Sequence, residues 1–382
     1  MRDFTLLVTA SVLAALVSFL ACKLIVVTQR WHGALSLDGD MRGKQKFHTI
    51  AVPRIGGVGL MLGMVIALAW IHLGSPAPVR TDVSTGVLAL IVSSLPVFAV
   101  GLIEDLTKRV SVRLRLGLTL TSALLACWSL QAILPRVDLP LIDDALAFAP
   151  VAVLATAVAV TGVTNSINII DGFNGIAGST VIAILAGMGF LGWRLDDMLV
   201  LNLALLGLGA TAGFMMMNYP RGRLFLGDGG AYLLGFWCAE IAVLLVSRHP
   251  EISSWQVLAI CAYPVTEVLY SMYRKKVLRK MSPTIPDRLH LHMLLYRRCI
   301  CRLLPRDDRR PWQRNAAVTW LVAPWMTVST LAVVALGTDG SAAATLLAVQ
   351  VAVYLAVYVR LLRGRWAFLP RTSSRPARLR RA

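Results

Sequence analysis

Three polar residues recur at a helical interval in the stretch NSINIIDGFNG, which follows a long apolar run. Asn165, Asn168 and Asp171 stand three residues apart, so a helix that continues through them aligns them on one broad face. Gly172 and Gly175 then break the helix and let the backbone approach a ligand. The alternative is a plain helix end, in which an asparagine caps the last turn. Aligned polar groups beside an apolar run are costly unless they line a cavity, so the spacing favours a binding site.

Two stretches combine basic residues with other polar groups beside apolar blocks. The first, KQKFHTIAVPRIGG, contains Lys46 and His48, and charged anchoring before a helix start explains it equally well. In the second, GLIEDLTKRVSVRLRL, Glu104 and Asp105 end an apolar block, and Lys108 lies one turn after Asp105 on the same face. An ion pair at the membrane interface is the structural alternative for this pattern.

A single carboxylate stands between glycines in NYPRGRLFLGDGGAYLLGF, where another apolar block begins. Asp228 at that position favours the positive end of a helix dipole, which is the structural explanation. An aspartate flanked by Gly227 and Gly229 also suits a metal ion that a phosphate group approaches.

The stretch SPTIPDRLHLHMLLYRR carries two histidines one residue apart. His290 and His292 point about 200° apart in a helix but to the same side in an extended loop. The prolines that precede them favour the loop. Zinc is not expected, because the H-x-H spacing and the C-x-C spacing of Cys299 and Cys301 differ from those of structural zinc sites.

Together these stretches offer carboxylates, amides, cations and a pair of histidines. Such a set suits a phosphorylated substrate bridged by Mg²⁺, which prefers one or two carboxylates with phosphate oxygens and water. The glycine patterns IGGVG and LGDGG fit neither the Walker loop nor the dinucleotide-binding fingerprint. A soluble phosphate donor at a membrane-level site implies that the acceptor is a lipid.

The elements that must position these groups are strongly apolar. Of the 382 residues, 57% are hydrophobic and 15% are charged, and the mean hydropathy is +0.69. Apolar residues form eleven blocks of membrane-crossing length, at 4–28, 55–74, 84–103, 116–134, 145–163, 176–193, 198–217, 229–247, 254–272, 316–336 and 341–362. We therefore predict an all-α, polytopic integral membrane protein with about 11 transmembrane helices (10–11). Barrel strands would be shorter and would alternate.

The same pattern predicts a single transmembrane catalytic domain, residues 1–362, followed by a basic, disordered tail, 363–382. Its active-site loops are expected at 29–54, 104–115, 164–175, 218–228 and 273–315. Taking alternate loops as cytoplasmic places 32 of the 38 Lys and Arg residues on that side and 5 on the other. This asymmetry predicts an outside N-terminus and a cytoplasmic C-terminus. It also explains the net charge of +18 without nucleic-acid binding.

Five stretches match, in order, the motifs of a known family. HTIAVPRIGG, GLIEDLTKRVS, NSINIIDGFNGIAG, FLGDGGAYLLGF and PDRLHLH resemble those of the polyprenyl-phosphate N-acetylhexosamine-1-phosphate transferases (glycosyltransferase family 4, WecA/MraY type). The resemblance spans roughly residues 1–360 and implies ten or eleven helices with the N-terminus outside. The PDRLHLH stretch resembles the undecaprenyl-phosphate GlcNAc-1-phosphate transferase branch more than the peptidoglycan enzyme.

What this resemblance implies is a Mg²⁺-dependent phosphotransferase, with Mn²⁺ as the alternative ion. Family members transfer a sugar-1-phosphate from a UDP-sugar to undecaprenyl phosphate and release UMP. The expected partners are a UDP-N-acetylhexosamine donor such as UDP-GlcNAc, undecaprenyl phosphate and membrane lipid, and a homodimer is compatible with the family. The expected location is the bacterial inner (cytoplasmic) membrane with a cytoplasmic active site, at the start of lipid-linked lipopolysaccharide, O-antigen or exopolysaccharide synthesis. The alternatives are phospho-MurNAc-pentapeptide transfer, a transporter or flippase, and an inactive scaffold.

The resemblance also carries roles to matching positions of this chain. Asp228 resembles the metal-binding aspartate, and Asp171 joins it in the catalytic and metal-binding set. Asp105 matches the acidic residue implicated at the lipid phosphate, and Lys108 matches a nearby phosphate-binding lysine. The expected substrate-binding residues are Lys46, His48, Glu104, Asn165, Asn168, Asn174, Phe225, Arg288, His290 and His292. Among these, Phe225 resembles the aromatic residue that stacks on uracil.

Three positions depart from the family pattern. Glu104 and Asn174 each replace a usual aspartate, and Met293 stands where many relatives carry a further histidine. The loss of a negative charge at Asn174 makes this residue the first candidate for altered donor choice. A one-step transfer and a covalent aspartyl-phosphate route both remain open.

Overall fold

The computed structural model describes residues 2–38, 51–74, 77–280, 282, 289–337 and 339–364. The predicted site residues Lys46, His48 and Arg288 lie outside the described residues, as does most of the predicted tail. The helices are α1 (Arg2–Val27), α2 (Gln29–Ser36), α3 (Gly56–Gly74), α4 (Ala77–Thr107), α5 (Val112–Ser129), α6 (Pro140–Leu146), α7 (Ala149–Ile170), α8 (Ile176–Arg194), α9 (Met198–Asn218), α10 (Gly227–Arg248), α11 (Ser254–Ile260), α12 (Ala262–Tyr273), α13 (Leu291–Leu295), α14 (Cys301–Leu303), α15 (Gln313–Ala316), α16 (Thr319–Leu336) and α17 (Gly340–Leu362). Two π-helical segments follow α12 and α13, at Arg274–Leu278 and Tyr296–Ile300.

Within the described part of the chain, nine helical segments are long and apolar enough to cross a membrane. They lie in α1, α3, α4, α7, α8, α9, α10, the α15–α16 segment and α17. Multiple long apolar helices of this kind make the chain a multi-pass membrane protein. The predicted all-α, polytopic architecture is therefore confirmed.

Two of the eleven predicted blocks take another form. The block at 116–134 lies mostly in α5, whose first turn carries Arg113 and Arg115. The block at 254–272 is divided at Cys261 into α11 and α12, and neither part reaches membrane-crossing length. The predicted count of eleven is not confirmed, and the orientation of the termini stays a prediction.

Helix α10 lies at the centre of the bundle, and 94% of its membrane-length apolar stretch is buried. Glycines on α3 and α4 allow both helices to approach its first turn. A Cβ added at Gly57 would lie 2.4 Å from the nitrogen of Gly230, and one added at Gly101 would lie 2.5 Å from the nitrogen of Gly229. Because a side chain does not fit at either position, glycine is required for this packing. The packing brings the end of α4 beside the start of α10.

A small strand pair fastens the segment before α3 to the same place. Strands β1 (Leu37–Asp38) and β2 (Val52–Pro53) pair antiparallel, with Leu37 opposite Pro53. The carbonyl of Pro53 accepts a hydrogen bond from the N–H of Phe225 at 2.9 Å, and the N–H of Gly56 donates to the carbonyl of Phe225 at 3.0 Å. Arg54 and Ile55, which lie between these two contacts, are thereby held beside the start of α10.

Candidate active site

A cavity of about 350 Å³ lies where the end of α7 and the start of α10 meet the segment after β2. It is lined by Asp38, Arg54, Asn168, Ile169, Asp171, Gly172, Phe173, Asn174, Asn218, Phe225, Gly227, Asp228, His290, Met293 and Asn315. Six residues of this wall were predicted site residues, namely Asn168, Asp171, Asn174, Phe225, Asp228 and His290. These six residues come from three of the stretches that the sequence singled out, and Arg54 adds a polar group from a fourth, KQKFHTIAVPRIGG.

Asp228 lies in the first turn of α10, and its carboxylate contacts donors from three other segments. Oδ2 accepts from Nη1 of Arg115 at 3.0 Å, and Oδ1 accepts from Nδ2 of Asn168 at 3.1 Å. Nη2 of Arg54 lies 3.6 Å from Oδ1. The side chain remains 18% exposed and lines the cavity. The Asp228 carboxylate is thus oriented by two cations and an amide, yet it stays open to a ligand.

Asp105 lies behind this wall, 1% exposed, and does not line the cavity. Its Oδ1 accepts from Nε of Arg54 at 2.9 Å and from the N–H of Asp228 at 2.8 Å, and its Oδ2 accepts from the N–H of Gly229 at 2.9 Å. These bonds satisfy two N–H groups at the start of α10, which have no partner within the helix. The described contacts of Asp105 are with protein donors, so its predicted contact with a lipid phosphate stays a prediction. In the structure Asp105 positions Arg54 and the first turn of α10.

Asp171 follows the last residue of α7 and presents its carboxylate at the cavity wall. Among the described residues, no group donates a hydrogen bond to that carboxylate. Burial, together with the nearby carboxylates of Asp228 and Asp105, raises the pKa of Asp171 to about 7. A cation at this place would stabilise the charged form of Asp171.

The carboxylates of Asp171 and Asp228 fit a divalent cation such as Mg²⁺. In proteins this ion is commonly held by one or two carboxylates, while substrate phosphates and water complete its shell. The part of the chain that the structure describes contains no group of three or more His, Cys, Asp or Glu residues able to hold a metal ion. Two carboxylates at the cavity wall would suit an ion that is shared with a phosphorylated substrate.

Three asparagines form a neutral part of the wall. The N–H of Asn174 donates to Oδ1 of Asn315 at 2.7 Å, and Nδ2 of Asn174 donates to the carbonyl of Pro220 at 3.0 Å. Oδ1 of Asn218 accepts from the N–H of Gly175 at 2.7 Å. Gly175 has a φ of 86°, a left-handed conformation that glycine adopts without strain, and it begins the turn into α8. This arrangement fixes amide groups that suit polar, uncharged parts of a ligand.

The two predicted histidines stack on each other, with ring centroids 5.5 Å apart and planes 6° apart. His290 lines the cavity, and its Nδ1 lies 2.8 Å from Oε1 of Glu267. His292 is fully buried, packs edge-on against Phe173 and does not line the cavity. Burial lowers the pKa of His292 to about 3, so this ring is neutral. The predicted substrate contact fits His290, whereas His292 is placed as its packing partner.

Three other predicted site residues lie away from the cavity wall. Nδ2 of Asn165 donates to the carbonyl of Thr161 in its own helix at 2.8 Å. Oε2 of Glu104 accepts from the N–H of Val110 at 2.8 Å and so braces the loop between α4 and α5. Lys108 is partly exposed, and its Nζ lies 3.9 Å from Oδ1 of the cavity residue Asp38. Its position is at the rim, beside the cavity rather than within it.

Several residues of this site were not predicted from the sequence. Arg54 and Arg115 count among the basic residues that predict membrane orientation, yet both contact Asp228. Asp38 stands in a stretch with no recognisable pattern, and Asn218 begins the NYPRGRLFLGDGG stretch, in which Asp228 was the predicted residue. Asn315 lies about 140 residues after Asn174, whose N–H donates to it. A local signal for Arg54 was its position two residues before the paired glycines in PRIGG.

Comparison with known proteins gives the same family as the motifs. The model of glycosyl transferase family 4 matches residues 87–246, which include Asp105, Asn168, Asp171 and Asp228. One similar protein is a probable undecaprenyl-phosphate N-acetylglucosaminyl 1-phosphate transferase of Bacillus subtilis, 23% identical over 66% of this chain and 68% of the relative.

Two further relatives are named undecaprenyl-phosphate alpha-N-acetylglucosaminyl 1-phosphate transferases. The Thermotoga maritima protein is 25% identical over 68% of this chain and 73% of its own length. The Escherichia coli K12 protein is 26% identical over 68% of this chain and 69% of its own length. The family model and these relatives support the family that the motifs resemble, and the matched segment contains the cavity residues Asp171 and Asp228.

Proposed function

We propose that this protein transfers N-acetylhexosamine-1-phosphate, with GlcNAc-1-phosphate as the first choice, from a UDP-sugar to undecaprenyl phosphate and releases UMP. The observation that carries the proposal is the grouping of Asp171 and Asp228 with Arg54 and Arg115 at the ends of membrane-length helices. Carboxylates for a divalent cation beside cationic donors suit a diphosphate substrate. The printed names of the bacterial relatives support the same class of reaction.

In the proposed reaction an oxygen of the lipid phosphate attacks the β-phosphorus of the UDP-sugar. A bond from this oxygen to phosphorus forms, the bond from that phosphorus to the bridging oxygen breaks, and UMP leaves with the electron pair. The second pKa of a phosphate monoester is about 6, so the acceptor is mostly a dianion at pH 7 and needs little help from a general base. Positioning and charge neutralisation therefore contribute most to lowering the barrier.

The residues of the cavity wall divide this work. Asp171 and Asp228 would hold Mg²⁺, which when bound neutralises charge on the phosphates. Arg54 and Arg115 orient the Asp228 carboxylate and add positive charge beside it. Phe225 offers a ring for the uracil base, and the neutral asparagine wall offers hydrogen bonds to base or sugar.

The proposed location is the bacterial inner membrane, with the cavity open to the cytoplasm. The distribution of basic residues supports this side, because the loops that carry the cavity residues belong to the Lys- and Arg-rich face. A soluble nucleotide-sugar then enters from the cytoplasm, while the polyprenyl chain of the acceptor stays in the bilayer.

Purified protein in detergent or nanodiscs, given Mg²⁺, undecaprenyl phosphate and a panel of UDP-sugars, tests the proposal by release of UMP. We expect UMP and a lipid-linked sugar phosphate with UDP-GlcNAc or a related N-acetylhexosamine donor. Asp228→Asn serves as the inactive control. Glu240→Gln is the matched active control, since Glu240 is buried in the same helix but does not line the cavity. A folded wild-type protein that releases no UMP from any donor would overturn the proposal.

A further inference from the structure

A buried carboxylate lies directly behind the cavity histidine. Glu267 of α12 is fully buried, and its Oε1 lies 2.8 Å from Nδ1 of His290. Its Oε2 accepts from the N–H of Leu291 at 3.0 Å and from the hydroxyl of Tyr354 at 3.0 Å. Three donors from three positions of the chain therefore converge on one carboxylate.

The backbone beside this histidine is held by a second anchor. Nη1 of Arg274 donates to the carbonyl of Leu289 at 2.8 Å and also contacts the hydroxyl of Tyr358. Arg274 follows α12, and Tyr358 belongs to α17, as Tyr354 does. The segment from Leu289 to Leu291 is thus fixed from α12 and braced by α17.

These contacts determine which ring nitrogen of His290 carries a proton. An ionised carboxylate only accepts hydrogen bonds, so the Nδ1 that faces Glu267 must carry hydrogen. Nε2 lies across the ring from Nδ1, and His290 lines the cavity, so Nε2 is the nitrogen left to face a ligand. A hydrogen bond at one nitrogen commonly sets the tautomer and direction of the other in this way.

We infer that Glu267 is a positioning residue for the transfer reaction, acting by fixing the tautomer and the direction of His290 toward the phosphorylated donor. The role in transfer rests on the proposed function, whereas the hydrogen-bond relation between the two side chains does not. Glu267 is the one carboxylate in the apolar block at 254–272, but it lies more than twenty residues before the histidine, so no local spacing connects the two.

Replacement of Glu267 by glutamine changes the hydrogen bonding without changing the shape. An amide has one acceptor oxygen, whereas the carboxylate accepts from Leu291, Tyr354 and His290 together. If the amide oxygen keeps the two donors at the Oε2 position, its NH₂ group faces Nδ1 of His290. Nδ1 must then accept, and the ring proton moves to Nε2. Glu267→Gln is therefore expected to reverse the tautomer of His290.

The first test is independent of catalysis. In protein with ¹⁵N-labelled histidine, the ring nitrogen shifts of the six histidines report which nitrogen is protonated, and His290→Gln assigns the relevant signals. We expect a protonated Nδ1 at His290 in the wild type and its loss in Glu267→Gln. Glu240→Gln is the control, because Glu240 is equally buried and neither of its oxygens has a hydrogen-bond partner within the described structure. An unprotonated Nδ1 in the wild type, or an unchanged ring in Glu267→Gln, would refute the inference.

The second test uses transfer activity and a double substitution. Glu267→Gln should lower kcat/KM by about 10- to 100-fold, the usual loss when a supporting hydrogen-bond partner is removed. The same change in a His290→Ala background should have an effect of less than about twofold, because residues that act as one unit are not additive. Losses that simply multiply would show a general structural effect and contradict the positioning role. An inactive wild type with the expected tautomer would instead contradict the proposed function alone.

Discussion

Changing Asp228 or Asp105 to asparagine should impair the protein in different ways. Asp228 is partly exposed to the cavity, and its carboxylate is proposed to hold the divalent cation. Asp105 is 1% exposed and contacts only protein donors. We therefore expect Asp228→Asn to lose activity with its fold intact, whereas Asp105→Asn should lose stability first.

The magnitudes follow from the contacts. In Asp105→Asn the amide keeps one acceptor, so Arg54 or an N–H of the first turn of α10 faces an NH₂ group. An unsatisfied buried donor costs about 1–3 kcal/mol. Loss of one preorganised electrostatic group at a reacting centre lowers kcat by about 10²–10³-fold, which is the expectation for Asp228→Asn. Activity of Asp105→Asn should fall less, because Arg54 still contacts Asp228.

The assay combines UMP release at saturating donor with thermal unfolding in the same detergent. We expect Asp228→Asn to have a low kcat and a Tm within a few degrees of the wild type. We expect Asp105→Asn to have a lower Tm and, at temperatures below that Tm, a kcat that is still measurable. Equal losses of kcat at equal Tm would refute the assignment of Asp105 as a positioning residue. A greater loss of Tm in Asp228→Asn would refute the assignment of Asp228 as an open ligand.

Four further outcomes follow from other contacts. Gly101→Ala should lower the free energy of unfolding by about 1–3 kcal/mol, because the added Cβ would lie 2.5 Å from a backbone nitrogen of α10. Thermal unfolding measures the loss. Gly117→Ala is the neutral control, because no atom lies within 4 Å of the Cβ it would add. Asn174→Asp removes the donor to the Pro220 carbonyl and adds a negative charge to the cavity wall. The KM for the UDP-sugar should therefore rise about tenfold in steady-state assays, which corresponds to a loss of about 1.4 kcal/mol in binding free energy. Asp171→Asn should raise the Mg²⁺ concentration for half-maximal activity about tenfold, and an unchanged Mg²⁺ titration would exclude Asp171 as a ligand. Burial opposes ionisation of Asp197, but hydrogen bonds from Arg248 and His249 outweigh it and lower the pKa of Asp197 below the ordinary 3.8. The stability that the ionised Asp197 adds is therefore fully present above pH 3.8 and is lost as the pH falls through its lowered pKa. The difference in Tm between wild type and Asp197→Asn should thus persist from pH 7 to 5 and close only below about pH 4.

The helices and the location of the site were predictable because local patterns determine both. Long apolar blocks gave most membrane-length helices, and polar residues at their ends marked the stretches that form the cavity. Asn168, Asp171 and Asp228 belong to two such stretches, about 60 residues apart, and they meet as expected. All three residues lie at or near helix ends, which the ends of the apolar blocks locate.

Residues whose role depends on side-chain direction were not predictable. Asn165 shares the spacing of Asn168 and Asp171, but it lies about 9 Å along the helix axis from Asp171, and its amide bonds to its own helix instead. His290 is extended and ends its loop, whereas His292 already lies in α13, so one ring reaches the cavity and the other packs behind it. Arg54 and Arg115 reach Asp228 across tertiary contacts that no local spacing records.

The start of α10 bears on how the proposed diphosphate substrate could bind in this site. A helix N-terminus ordinarily binds phosphate through N–H groups that have no partner within the helix. Here the N–H groups of Asp228 and Gly229 already donate to the carboxylate of Asp105, so those two are not available to a phosphate. The same carboxylate adds negative charge behind the wall, and Asp171 and Asp228 add more in front of it. A diphosphate can approach this start of a helix only if arginines and a bound cation offset that charge. We therefore expect the proposed Mg²⁺ ion to contribute to binding as well as to reaction, so that lowering the Mg²⁺ concentration should raise the KM for the UDP-sugar and not only lower kcat.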